Sequence, residues 1–201
     1  MDKKEKIKNL KEKMEKNMSL PLRKGATNLV FGEGDCNAEI LIIGEGPGYW
    51  EDQKARPFVG NSGSLLNRLL QTIKLNREDV FITNVVFFRP PNNRAPLPEE
   101  INAFKPYIDG IIDIIDPKMI VTLGRFSMAK FIPNVFISSV HGRIFNIKWD
   151  GRDRMVIPMY HPAAALRNGS VMNIIKNDFL KIPDALKEVK SRVVIDQMTL
   201  I

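Results

Sequence analysis

Cysteine is almost missing from this chain: Cys36 is the only one among 201 residues. A single thiol closes no intrachain disulfide, and Cys36, in an Asp-Cys-Asn turn, reads as incidental. Histidine is nearly as scarce, with His141 and His161 alone. No apolar run approaches the roughly 20 residues that span a bilayer. No signal-peptide pattern precedes the charged N terminus. Internal repeats and low-complexity linkers are also lacking. These absences lead us to expect a cytoplasmic protein that does not engage a membrane. The length suits one domain over 1–201 with a full core.

Positive charge is plentiful. The formal net charge is +7 and the pI about 9.5, which suits a polyanionic partner without identifying one. Part of the excess is trivial. The stretch 2–16 alternates Lys with Glu around Ile7, Leu10 and Met14, as an amphipathic helix over about 2–18 with a solvated face would.

The most informative stretch is 40–66, ILIIGEGPGYWEDQKARPFVGNSGSLL. A short apolar run ended by glycines reads as a buried strand entering a tight turn. Glycines there let a backbone approach a ligand and expose N–H groups to an anion. A polar loop, Pro57-Phe58-Val59-Gly60, follows. The Phe58 ring in such a loop needs something to stack on. A helix opens near 62–64.

Further strands are expected at 39–43, 80–86 and 119–123, with two more at 139–148 and 154–158 around an Asp150-Gly151 turn. Helices are expected at 63–73, 98–115, from Arg125, and at 172–190, with a loop at 163–169. Alternating strands and helices predict an α/β protein, a three-layer α/β/α sandwich on a mostly parallel four-stranded sheet. In such sheets ligands bind beyond the carboxyl ends of the strands. Glu45, Asn84, Gly124 and His161 all fall at or just past strand ends.

Asn84 offers a donor beside an acceptor, the pattern that matches a nucleobase edge, or it caps the strand end. His161 could donate to an oxygen gaining charge or be a structural histidine. His141 reads as merely packed or exposed. Leu166-Arg167 has the composition of an apolar wedge beside a phosphate-holding cation. Arg89 and Arg94 flank a proline-rich loop that suits contact with a nucleic-acid backbone.

Four stretches resemble one family in order and spacing: GEGPG with EDxxxRPFVGxxG (44–63), ITNVV with RPPxNRxPLPEE (82–100), IVTLGR (120–125) and YHPAAALRN (160–168). Over about 23–179 the chain resembles the family 4 uracil-DNA glycosylases of thermophilic bacteria and archaea. The resemblance implies the uracil-DNA glycosylase fold and a monofunctional repair glycosylase, which hydrolyses the uracil N-glycosidic bond in DNA and leaves an abasic site. It implies that Gly44, Glu45 and Gly46 line the uracil pocket, Phe58 stacks on the flipped base, Asn84 reads its pairing edge, and His161 bonds the oxygen beside the scissile nitrogen. Pro47, Arg89, Arg94, Leu166 and Arg167 would meet DNA. Gly46 stands where the best-known uracil glycosylases carry a water-orienting aspartate. Glu45 is the first candidate for that role and Glu51 the second.

The resemblance also implies a [4Fe–4S] cluster on four cysteines. The corresponding positions hold Asn17, Leu20, Phe88 and Phe104. A cluster of this type needs about four thiolates. The expectation is therefore no cluster and no metal, with apolar side chains filling the volume. Uracil-containing DNA is the expected partner, the protein a monomer, the source prokaryotic. Two alternatives remain: a glycosylase for another base, such as hypoxanthine or thymine opposite guanine, or a non-catalytic nucleic-acid-binding homologue.

Overall fold

Ile40 and Ile42 leave their strand toward one core, and Leu41 and Ile43 toward another. In the computed structural model, which describes residues 1–188, this alternation divides the molecule into three layers. The elements are α1 (Lys3–Lys16), β1 (Glu33–Gly34), β2 (Ile40–Gly44), α2 (Tyr49–Lys54), α3 (Asn61–Thr72), β3 (Phe81–Asn84), α4 (Pro98–Ile115), β4 (Met119–Leu123), α5 (Arg125–Ala129), α6 (Ile137–Val140), β5 (Phe145–Trp149), β6 (Arg152–Met159), α7 (Pro162–Arg167) and α8 (Gly169–Phe179).

The sheet order is β1-β3-β2-β4-β6-β5. β3, β2, β4 and β6 are parallel, in a register that aligns Ile42 with Ile82 and Val121, and Val121 with Ile157. β1 and β5 add antiparallel edges. The parallel strands are apolar almost throughout because both faces are covered. One face packs on Leu65, Leu66, Leu69, Ala165, Ile175 and Phe179, from α3, α7 and α8. The other packs on Met14 of α1 and on Phe104, Ile108, Ile111 and Ile115 of α4. In α4, Pro98 holds the first position and Glu100 accepts from the Leu97 amide, which satisfies a donor that the helix start leaves orphaned.

The sheet has six strands rather than four, since the edges are short or amphipathic and carry no buried run. The expected strand at 139–148 is divided. Residues 137–140 coil into α6, Gly142 turns at φ +65°, and pairing begins only at Phe145. His141 therefore caps a helix. Residues 163–167, expected as loop, form α7. Pro162 takes the first helical position, His161 caps the start, and three alanines and a leucine favour the helix. The polar stretch after Gly48 coils into α2. The C-terminal helix is interrupted: α8 stops at Phe179 and helix resumes over 182–188 with Pro183 in its first turn. Residues 189–190 of the expected helix lie outside the described residues.

Candidate active site

Each parallel strand delivers something to the same end of the sheet. β2 ends at Gly44, β3 at Asn84, β4 leads into Gly124, and β6 is followed at once by Tyr160 and His161. A cavity of about 410 Å³ opens there, with Glu45, Glu51, Phe58, Asn84, His161 and Arg167 in its wall. Three of the four residues expected to converge thus share one hollow. The fourth, Gly124, lies beneath it. Gly124 has φ +93°, and a Cβ there would come 3.2 Å from the Cβ of His161. Gly44 is likewise floor rather than wall: a Cβ on it would lie 2.4 Å from Asn84 Oδ1 and 2.6 Å from Phe58 Cζ.

Asn84 is 1% exposed. Among the described residues its side-chain amide makes no hydrogen bond to protein, yet it borders the cavity. A buried amide is normally satisfied, so this one keeps its donor and acceptor capacity unused beside open space. Glu45 also borders the cavity, and its carboxylate makes no hydrogen bond to protein among the described residues. Burial raises its pKa above the ordinary glutamate value, and Arg125 opposes this only in part.

His161 accepts from the Ala163 amide through Nδ1 at 3.1 Å. Its proton therefore sits on Nε2 in the neutral ring. Burial, with help from Arg167 and against the pull of Glu51, pushes its pKa down to about 4. At neutral pH the side chain is an uncharged N–H donor. Its ring stacks on Phe58 with 5.7 Å between centroids and 27° between planes.

Phe58 has φ +50°, a conformation that costs energy for a bulky residue and persists only where the surroundings enforce it. Two clamps enforce it. Glu51 Oε1 accepts from the Val59 and Gly60 amides, each at 2.9 Å. Arg77 donates to the carbonyls of Pro57 at 2.7 Å and Phe58 at 3.0 Å, and is itself held by Glu33. Gly63 lets α3 come close: a Cβ there would lie 1.8 Å from the Phe58 carbonyl oxygen. Nothing local marks Arg77, whose partners lie 10–44 residues away. Asp52 carries no local signal of its role either. It is buried and accepts from the Thr27 and Asn28 amides, tying that segment to α2.

The rim is basic. Pro47, Arg94 and Arg167 line the cavity, while Arg89 and Leu166 stand outside its wall. Arg94 is bound to Glu100 by two hydrogen bonds at 2.8 and 2.6 Å, which leaves it a fixed rather than a roving charge. Leu166 is exposed, as a probe would be, but on α7 rather than on a loop. His141 stands apart, with Nδ1 2.7 Å from Asp178 Oδ2.

Residues 31–187 match the model of the uracil DNA glycosylase superfamily. The chain belongs to that superfamily. It is 49% identical to the type-4 uracil-DNA glycosylase of Sulfurisphaera tokodaii over 163 residues, covering 78% of this chain and 74% of the relative. The type-4 enzyme of Archaeoglobus fulgidus is 46% identical over 167 residues, covering 80% of this chain and 83% of its own. That of Thermotoga maritima is 41% identical over 179 residues, covering 88% and 93%. The superfamily fold explains why the site sits where four parallel strands end.

Three of the four positions that the resemblance assigns to cluster ligands share one apolar core, and the fourth bonds to a member of that core. Leu20, Phe88 and Phe104 belong to one apolar core, with the Phe88 and Phe104 rings 6.1 Å apart. Asn17 donates to the Tyr107 hydroxyl at 2.9 Å, one turn along α4 from Phe104. The donor set does not fit an iron–sulfur cluster, which takes thiolates. Among the described residues no group of three or more His, Cys, Asp or Glu side chains could hold a metal ion.

Proposed function

We propose that this protein excises uracil from DNA by hydrolysis, as a monofunctional base-excision enzyme acting inside the cell as a monomer without an iron–sulfur cluster. The observation that carries the reading is the buried, unpartnered Asn84 amide opening into the same cavity as neutral His161. A base inside a duplex must turn out before its bond to the sugar can be reached. Asn84 would pair with the everted edge, and Phe58 would stack on its face.

As the C1′–N bond breaks, the uracil ring gains negative charge. The Nε2–H of His161 would stabilise it through a short hydrogen bond, and a preorganised donor of this kind is typically worth about 3–4 kcal/mol. A neutral imidazole suits this role, since it keeps the proton and lends only the hydrogen bond. The sugar becomes cationic at C1′. Glu45, whose carboxylate makes no hydrogen bond to protein among the described residues, would steady that charge and orient the water whose oxygen bonds to C1′, the water's proton passing to the departing uracil anion. The products are free uracil and an abasic site. Leu166 and Arg167 would occupy the vacated space and hold a phosphate.

Incubation with a uracil-containing oligonucleotide tests the reading. Strand breaks should form at uracil only after alkali treatment. No alkali-labile site would overturn it, and breaks without alkali would overturn the monofunctional part. Excision from oligonucleotides carrying hypoxanthine, or thymine opposite guanine, but not uracil would shift the substrate.

A further inference from the structure

Tyr49 and Trp50 open α2 immediately beyond the glycine turn, and both are large apolar residues left in solvent. Tyr49 is 48% exposed and Trp50 57%. They are not loosely scattered. Their rings meet edge to face at 5.1 Å. The Arg89 guanidinium lies over the Tyr49 ring at 5.1 Å and is pinned by Asn93 at 2.7 Å. Trp50 also lines the cavity, beside Gly60 and the Phe58 loop. The result is a rigid aromatic step at the cavity mouth, backed by a fixed cation, on a chain with net charge +7.

We infer that Trp50, supported by Tyr49 and Arg89, is a stacking shelf for the nucleobase adjoining the everted one. This rests on the uracil-excision reading. When one base leaves a strand, its neighbour loses a stacking partner, and an exposed indole can replace it. Aromatic shelves of this kind bind single strands without regard to sequence, because every base has a π face. The Arg89 charge adds attraction to the phosphate between the two nucleotides. The shelf gives the enzyme its own hold on single-stranded substrate, where no opposing strand helps to position the everted base.

The test has two arms. In the first, Trp50→Ala should raise KM on single-stranded uracil DNA by about 5- to 150-fold, the range set by base–aromatic stacking, with little change in kcat; Trp50→Phe should recover most of the loss. In the second, the Trp149→Phe protein leaves Trp50 as its one tryptophan. Its fluorescence should be quenched by a single strand bearing a tetrahydrofuran abasic analogue. Replacing one flanking base by a spacer should remove the quenching. Unchanged KM in Trp50→Ala, or quenching indifferent to both flanking bases, overturns the shelf while leaving uracil excision standing. The second arm needs no turnover, so it decides the shelf even if the wild-type protein excises nothing.

Discussion

Gly44 and Phe58 approach so closely that a single methyl group on the glycine would lie 2.6 Å from Phe58 Cζ. The same methyl would strike Asn84 Oδ1. Gly44→Ala should therefore displace both groups while leaving the strand itself intact. A misplacement of about 1 Å can cost on the order of 100-fold in rate. The expected outcome is a fall of that size in kcat/KM for uracil excision, with near-wild-type circular dichroism. Full activity in Gly44→Ala would show that the ring and amide need not hold their present positions.

Glu45 and Glu51 share a cavity but have unlike duties. Glu51 spends one oxygen on two backbone amides of the Phe58 loop, whereas the Glu45 carboxylate makes no hydrogen bond to protein among the described residues and only its backbone carbonyl is engaged, by the Val86 amide. Glu45→Gln should lower kcat by about 100-fold or more, as loss of a positioned carboxylate does. Glu51→Gln keeps an acceptor for the loop and should cost much less, while Glu51→Ala should lower kcat/KM by releasing Phe58. Steady-state kinetics of the three variants would reverse the assignment if Glu51→Gln proved the more damaging.

The two titrations predict where the acid limb of the rate lies. The Glu45 pKa is raised above the ordinary value, so its carboxylate is lost first as pH falls. His161 stays neutral until about pH 4. The rate should fall through a pKa above 4.5, and Glu45→Gln should flatten that limb. For stability the signs oppose. Lowered in the folded state, the His161 pKa costs stability as pH drops from 6.5 toward about 4. Raised in the folded state, the Glu45 pKa adds stability over its own interval as pH falls. Melting curves of His161→Gln should thus gain on wild type between neutral pH and pH 4.5.

Asn84→Ala removes the one buried amide that the cavity leaves unpaired. A bidentate amide–base pair is worth about 1–3 kcal/mol, so excision should fall by roughly 5- to 150-fold. Non-specific DNA binding, which rests on surface cations, should hardly change. Equal excision by variant and wild type would remove Asn84 as the base reader.

Phe104 is fully buried beside Phe88 and Leu20. Phe104→Ala should destabilise the fold by about 3–5 kcal/mol through lost contacts and a cavity. The purified wild-type protein should be colourless and free of iron by elemental analysis. A brown preparation with stoichiometric iron would contradict the cluster-free proposal.

Much of this was legible in the chain itself. The strands at 40–44, 81–84 and 119–123 declared themselves because burial on both faces demands mostly apolar runs, broken here only by Thr83, Asn84 and Thr122. Asn84 and His161 stood out because they follow such runs. The edges were harder: two residues suffice for β1, and β5 alternates between half-buried and exposed positions. The α7 segment reads as a loop because His161-Pro162 signals extended backbone, and nothing local reveals that the histidine then caps a helix. Arg77 was invisible for a different reason. Its importance lies in carbonyls and a carboxylate that only the folded chain brings near it.

The Phe58 loop is fastened at four backbone groups before any DNA arrives. The receiving slot therefore keeps one width, and an incoming ring must match its outline as well as the Asn84 amide. With the slot already formed, the ease with which the duplex releases the base should weigh on the rate. Uracil opposite guanine, where pairing is weakest, should leave its helix and be removed sooner than uracil opposite adenine.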